Sequence, residues 1–385
     1  MKKNFARLIN YKRIISVLLA VFCLILFIKE RDKCLSLLSK AAVISISTAL
    51  PTGIDLGSDK TSETVPVTQK EKPTENILGE TEGAEKSVKS DDTPDGGFSE
   101  VPADIKKLTQ QAEKNSSADK KAGKITEVTY KNSGVTDSYG NVKVKNVNET
   151  KINIKQLLNR KPDLEIKDKS LPTVLIFHTH TTECYQLLDR SFYSQSYKPR
   201  TNDLSQNMVR VGDEITKQLE KAGFNVIHDT VIHDYKYTGA YADSRREVEK
   251  YLEKYPEIQV TLDIHRDAIQ PKSDEKIKPV TEILGRKCAQ IMIISGCQES
   301  GNGVSGFPDW EENLVFALQL QKKLEDLFPG ITRPLYFSPR KYNMDMKHCS
   351  LLIEMGSDAN TLSEAVYSGK CLGTALSSLF EDYCV

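Results

Sequence analysis

From residue 171 to the C-terminus, short apolar runs alternate with stretches of helical periodicity. That alternation restricts the fold more than any other feature, because apolar strands of this kind need helices to cover their faces. Val174-Leu175-Ile176-Phe177 is a short buried strand. Behind the cap candidate Asp203, Leu204, Met208, Val211, Ile215, Leu219 and Ala222 recur at helical spacing, and Gly223 ends the helix. A strand over 225–228 and an amphipathic helix over 244–255, closed by Pro256, follow. Further strands fall at 260–264, 290–295 and 350–355, and a helix is marked by Leu314, Ala317, Leu318, Leu324 and Leu327. Trp310 sits where that helix starts and is expected to pack. Thr361-Leu362-Ser363-Glu364 reads as a capping box for the last helix. The predicted fold class is α/β, a mostly parallel sheet with helices on both faces over 171–385.

The remainder divides into three stretches, in line with a length of 385 residues and about two domains. Within 1–50, Lys2, Lys3, Arg7, Lys12 and Arg13 precede the apolar run Ile14 to Ile28, and Lys29, Glu30, Arg31, Asp32 and Lys33 close it. As a helix the run covers roughly 22 Å, short of a ~30 Å hydrocarbon core, and flanking Lys and Arg can snorkel to extend it. We read it as an uncleaved single-pass membrane anchor, with a cleaved signal peptide as the alternative. Its positive side stays cytoplasmic, which places the rest of the chain outside. Residues 51–124 are rich in Lys, Glu, Asp, Ser, Thr, Gly and Pro, and read as a disordered tether. Residues 125–170 read as a lead-in subdomain or an edge hairpin, with strands at 125–130 and 142–147 and a short helix over 152–158. With 53 basic and 53 acidic residues the formal net charge is zero, so nothing in the charge balance points to nucleic acid.

In open α/β sheets, ligands sit outside the carboxyl ends of the strands. There the chain places its most reactive residues. The chain has six histidines, and two lie in His178-Thr179-His180-Thr181-Thr182-Glu183-Cys184-Tyr185, directly after the first strand. His180 and Glu183, at i and i+3, can face one point on a helical turn. A catalytic zinc takes three protein ligands of this kind and keeps an open position. His265, ending Val260-Thr261-Leu262-Asp263-Ile264-His265, offers the third. Glu354, in Leu351-Leu352-Ile353-Glu354-Met355-Gly356, is the expected proton shuttle, because a carboxylate in an apolar strand is costly unless paired or used. The alternative for Glu354 is a strand-end carboxylate reaching solvent or an arginine.

His178 is the alternative ligand or a group behind the ligands, since side chains two positions apart in an extended segment share a side. Asp263 and Asp267 flank His265, and either can hold its second ring nitrogen. Arg266 is a candidate for a substrate carboxylate, with a surface salt bridge as the ordinary reading. His228, His233 and His348 read as ordinary surface or core histidines. Of eight cysteines, Cys184 is the rival nucleophile. Its neighbour Glu183 raises a thiol pKa, which favours a structural role.

These residues resemble the stage II sporulation protein P family, membrane-anchored peptidoglycan hydrolases of endospore-forming bacteria. The resemblance rests on Val174 to Tyr185, on Leu262-Asp263-Ile264-His265-Arg266-Asp267-Ala268, and on Leu352 to Gly356 continuing to Asn360-Thr361-Leu362. It implies a sporulation enzyme of engulfment that removes stem peptides from glycan strands as an N-acetylmuramoyl-L-alanine amidase and cuts peptide cross-links as an endopeptidase. It also implies a place in the space between mother-cell and forespore membranes, beside sporulation proteins D and M. More distantly the domain looks like zinc N-acetylmuramoyl-L-alanine amidases. Their Asp-Pro-Gly-His turn is absent here, their histidine falls on His180, and their glutamate ligand lies beyond Glu183. The His-x-x-Glu pair with a distant His looks like zinc carboxypeptidases, which supports Glu183. The expected enzyme is a zinc-dependent amidase. The alternatives are a zinc carboxypeptidase or endopeptidase on wall peptides, a non-catalytic wall-binding scaffold, and a cysteine-nucleophile hydrolase.

Overall fold

The structure, a computed structural model, describes residues 97–116, 119–299 and 303–385. The expected anchor over 14–28 and most of the expected tether lie outside the described residues. Among the described residues no helix is long and apolar enough to cross a membrane.

In chain order the elements are α1 (Ala103–Asn115), β1 (Lys121–Val128), β2 (Asp137–Tyr139), β3 (Val142–Asn146), α2 (Ile154–Leu158), β4 (Pro172–Phe177), β5 (Phe192–Ser194) and α3 (Met208–Lys221). They continue with β6 (Asn225–His228), α4 (Ala240–Lys254), β7 (Val260–Asp267), β8 (Glu275–Ile283), β9 (Arg286–Ala289) and β10 (Ile291–Gly296). The last are α5 (Trp310–Leu327), β11 (Leu335–Ser338), a 3-10 turn (Met344–Met346), β12 (Ser350–Ser357) and α6 (Leu362–Glu381).

The larger sheet has eight strands in the order β2-β3-β11-β10-β12-β7-β4-β6, and a second has four in the order β5-β1-β8-β9. The predicted mostly parallel sheet is therefore corrected to two mixed sheets. β12, β7, β4 and β6 run parallel, whereas β10 lies antiparallel to β12. The cause is the hairpin β8–β9, which the sequence reading did not anticipate. β9 returns antiparallel to β8, and the chain passes through Gln290 directly into β10. Without a crossover helix, β10 enters the large sheet reversed.

Strand parity sets the two faces of the large sheet. Val174 and Ile176 of β4, Leu262 and Ile264 of β7 and Ile353 of β12 share one core with α3, α5 and α6. Leu175 and Phe177 face Val248 of α4 on the other side, and Leu352 joins Ile294, Phe307 and Met344 there. Helices α3 and α6 approach closely at Gly373, where a Cβ would lie 2.7 Å from the Gln218 Cβ and 2.8 Å from the Ile215 carbonyl oxygen. The capping box of α6 forms, with Glu364 N–H donating to Thr361 Oγ1 and Thr361 N–H to the Glu364 carboxylate. α3 begins later than Asp203 implies: Asn207 caps it, while Asp203 accepts from Ser205 in the preceding turn. Trp310 opens α5 and packs on Phe337.

The folded part reaches further toward the N-terminus than the expected tether boundary at 124. Ile105 of α1 is buried, and Phe98 stacks on Phe328 at 5.7 Å and meets Tyr367 edge-on at 6.0 Å. Arg286 donates to the Ser99 and Glu100 carbonyls at 2.9 Å, and Lys370 to that of Phe98 at 2.6 Å. A few apolar anchors in a polar stretch suffice, and average composition hides them. Within 125–170 the edge-hairpin alternative holds: β2 and β3 pair antiparallel at the edge of the large sheet, and the stretch joins both sheets instead of standing apart. β3 pairs with β11 in the large sheet, and β1 pairs with β8 in the small one. Lys278 of β8 is buried among carboxylates of Asp189 (2.6 Å), Glu364 (2.7 Å) and Glu127 (3.0 Å), which ties the small sheet to α6.

Candidate active site

Neighbouring parallel strands bring the predicted residues to one edge. Across β12 and β7, Glu354 pairs in register with His265. Across β4 and β7, Phe177 pairs with Asp263, and His180 follows three residues beyond. By parity Asp263, His265 and Glu354 occupy the face opposite α3, α5 and α6.

Threonines shape the turn after β4. Thr179 donates to the Asp263 carboxylate through N–H (2.8 Å) and hydroxyl (2.7 Å). Thr182 does the same to Asp234, at 3.1 and 2.6 Å. Glu183 N–H donates to the His180 carbonyl at 3.1 Å, closing the single turn that carries both side chains. The His180 and His265 rings meet edge-on with centroids 5.4 Å apart. Glu183 Oε2 lies 3.9 Å from His265 Nδ1, and Asp263 Oδ1 lies 2.7 Å from His265 Nε2.

All four side chains are buried, and each responds differently. Burial opposes ionisation of Glu183, but Arg266, the two histidines and Arg200 outweigh it and hold its carboxyl below the usual range. Burial lowers His180 to about 4, against the opposing pull of Glu183. For His265, burial pulls down, but Asp263 and Glu183 lift it to about 9. Burial, with the charge of Asp267 added, pushes Glu354 up to about 8. Asp267 is itself raised by burial, against an ion pair with Arg333 at 2.9 Å.

His178 and His180 diverge. The β4 parity runs on through His178, which turns to the α3 face. There its Nδ1 donates to the Ile264 carbonyl at 2.9 Å, and its Nε2 lies 2.9 Å from His228 Nε2, beside Gly212. The chain stops being extended after Phe177, so the two-residue spacing does not give these histidines a common side. Arg266 is buried: its guanidinium donates to the carbonyls of Pro199 (2.8 Å), Cys184 (3.3 Å) and Asp267 (3.4 Å), and its N–H to Glu183 (3.3 Å). It clamps the Glu183 loop instead of reaching the surface. Cys184 donates to the Lys198 carbonyl, and burial pushes its thiol up to about 11. His233 pairs with Asp229 at 2.7 Å, and His348 with Asp163 at 2.6 Å.

The sequence reading missed a second group around His180. Tyr237 lies flat on its ring at 4.8 Å with planes 2° apart, and Tyr241 meets it edge-on at 5.7 Å. Arg200 joins the Asp234 carboxylate and reaches Glu183 Oε1 at 3.4 Å. The signal in the sequence was an aromatic-rich loop, Asp234-Tyr235-Lys236-Tyr237, at the carboxyl end of a strand.

Among the described residues, no three His, Cys, Asp or Glu side chains stand at metal-binding spacing. The donors still fit zinc in kind, two imidazoles and a carboxylate. His180 Nδ1 is buried without a hydrogen-bond partner, as is Glu354 Oε2. Two ligands of one tetrahedral zinc lie about 3.4 Å apart. The 3.9 Å between Glu183 Oε2 and His265 Nδ1 is slightly wider.

The fold and this cluster define an α/β protein with a buried cluster of histidines and carboxylates at its strand ends. The family model for stage II sporulation protein P matches residues 61–377, and the chain belongs to that family. Stage II sporulation protein P of Bacillus subtilis (strain 168) is 27% identical over 221 residues, 54% of this chain and 51% of that protein. The chain thus spans about half the length of the curated relative it matches. Among solved structures, N-acetylmuramoyl-L-alanine amidase AmiC2 of Nostoc punctiforme gives a TM-score of 0.34 at 11% identity, covering 56% of this chain and 98% of that one. The CwlD amidase of Clostridioides difficile, solved in complex with the GerS lipoprotein, gives 0.33 at 14%, covering 55% and 98%. Both likenesses are distant.

Proposed function

We propose that this chain is a peptidoglycan hydrolase of sporulation, a zinc-dependent N-acetylmuramoyl-L-alanine amidase that also cuts peptide cross-links. The observation that carries the reading is the convergence of His180, Glu183, His265 and Glu354 in one buried cluster at three neighbouring strand ends. His180, Glu183 and His265 would hold the metal. Bound there, zinc would lower the pKa of a water and polarise the scissile carbonyl. Glu354, raised to about 8 by burial in the metal-free chain, would act in its ionised form, taking the proton of the attacking water and passing it to the leaving amine. Asp263 orients His265, and Arg266 with Arg200 holds Glu183 ionised. Membership of the family and the apolar run over 14–28 support a single-pass protein with its catalytic domain outside, acting in engulfment beside sporulation proteins D and M.

The test incubates the full chain, in detergent, with purified peptidoglycan, with and without a zinc chelator, and identifies released products by mass spectrometry. Free stem peptides and intact glycan strands, lost on chelation and restored by zinc, are expected. Release that persists under chelation rejects the zinc centre. Release of cross-link fragments alone replaces the amidase with an endopeptidase. No release by the chain alone or with sporulation protein D added leaves a wall-binding scaffold.

A further inference from the structure

The loop between β6 and α4 is pinned, yet it projects apolar side chains at the rim of the site. Asp229 accepts from Val231 N–H at 3.0 Å and holds His233 at 2.7 Å. His233 N–H donates to Thr181 Oγ1 at 3.2 Å, and the fully buried Asp234 carboxylate is gripped by Thr182 and Arg200. From this fixed base Tyr235 is 75% exposed, Val231 48% and Tyr237 45%. The Tyr237 hydroxyl makes no hydrogen bond among the described residues. Arg200 lies over the Tyr237 ring at 5.1 Å with its side chain one third exposed. Tyr237 gains packing from His180 and Arg200, but an anchored loop that leaves Tyr235 and about half of Val231 in water gains little from those two in folding. Their place is continuous with the site, because Tyr237 lies against His180.

We propose that Tyr235 and Tyr237 form a sugar-binding lip, which seats a pyranose ring of the wall glycan beside the bond to be cut. A pyranose offers an apolar C–H face that packs on an aromatic ring, with hydroxyls at its rim for the phenol oxygens and for Arg200. The rigid base means little ordering is needed when the ring docks. The lip rests on the proposed wall substrate but not on hydrolysis itself. It makes the glycan, and not the stem peptide alone, a determinant of recognition.

The test uses the full chain in detergent, carrying Glu354→Gln so that the wall stays intact, and measures co-sedimentation with purified peptidoglycan. Adding Tyr235→Ala is expected to weaken retention about threefold to tenfold. Tyr237→Phe, which keeps the ring, is expected to bind much more tightly than Tyr237→Ala. Glycan strands stripped of peptide should compete, and free stem peptides should not. Unchanged retention by Tyr235→Ala overturns the lip, and so does competition by stem peptides alone or the absence of any retention. Tyr235 is largely in solvent, so its removal leaves the thermal melting midpoint unchanged, and a lowered midpoint moves the test to Tyr235→Ser. Because the assay reads binding, an enzyme that releases no product still tests the lip.

Discussion

Glu354 and His265 are register partners on the adjacent parallel strands β12 and β7, and both face away from α3, α5 and α6. Each is held away from its ordinary protonation: the carboxyl is pushed up by burial, and the imidazole is lifted by Asp263 against burial. Side by side, they give the strand edge a group that exchanges protons near neutral pH.

Glu354→Gln removes that exchange while keeping the shape. We expect product release to fall by about 10²–10⁴-fold. The melting temperature is expected to hold or rise, because a neutral amide replaces a carboxyl that burial already disfavours as an anion. Product assays and thermal melts on the same preparation check both parts.

The metal-free protein should lose stability as pH rises from about 6.5 to 9. The folded pKa of His265, about 9, lies above its ordinary 6.5, so the folded state binds more protons in that window. Its contribution is full below 6.5 and is lost as pH passes the folded value. Glu354, raised from 4.5 to about 8, acts in the same direction. His180, lowered from 6.5 to about 4, has the opposite sign, and its contribution is lost as pH falls toward 4. Denaturant midpoints in chelator across pH 6–10 measure this. His265→Gln should flatten the slope, and an unchanged slope in that variant would exclude His265 as the source.

At the proposed zinc centre, Asp234→Ala is expected to weaken binding about 10–100-fold, although Asp234 is not among the proposed ligands. Its carboxylate holds Thr182 and Arg200, and Arg200 in turn reaches Glu183. Competition with a chromophoric chelator reads the affinity directly. Wild-type affinity in the variant would show that the turn holds its shape without Asp234.

Phe98→Ala should lower stability by about 1–3 kcal/mol, because the ring packs on Phe328 and Tyr367. For the same reason, a fragment beginning at Ile125 should be less stable than one beginning at Gly97. That fragment also lacks α1 and the first residues of β1. Urea midpoints of the two fragments decide this, and equal midpoints would reduce α1 to an accessory.

Much of this protein is legible in local pattern. The apolar run before His178, the 3.6-residue spacing of Met208, Val211, Ile215 and Leu219, and the capping box at Thr361 each depend on residues a few positions apart. Such signals survive in one dimension because a strand or helix imposes its own period on side chains. His180, His265 and Glu354 stood out as polar groups at or near the ends of apolar runs, and Glu183 by its spacing of three from His180.

Direction and partnership needed the folded chain. The reversal of β10 follows from the hairpin β8–β9, and no local period records which way a strand enters a sheet. His178 and His180 are two residues apart, yet only the end of β4 and the turn at Thr179 send one toward α3 and the other toward His265. Tyr237, Asp234 and Arg200 come to His180 across a long separation in sequence, and Phe98 finds Phe328 and Tyr367 from inside a polar segment. The sequence by itself marked the polar residues at the ends of apolar runs and most of the helix and strand segments. The tertiary structure decided which of those residues meet, because contacts between distant segments depend on the packing of the whole chain and leave no local period to read.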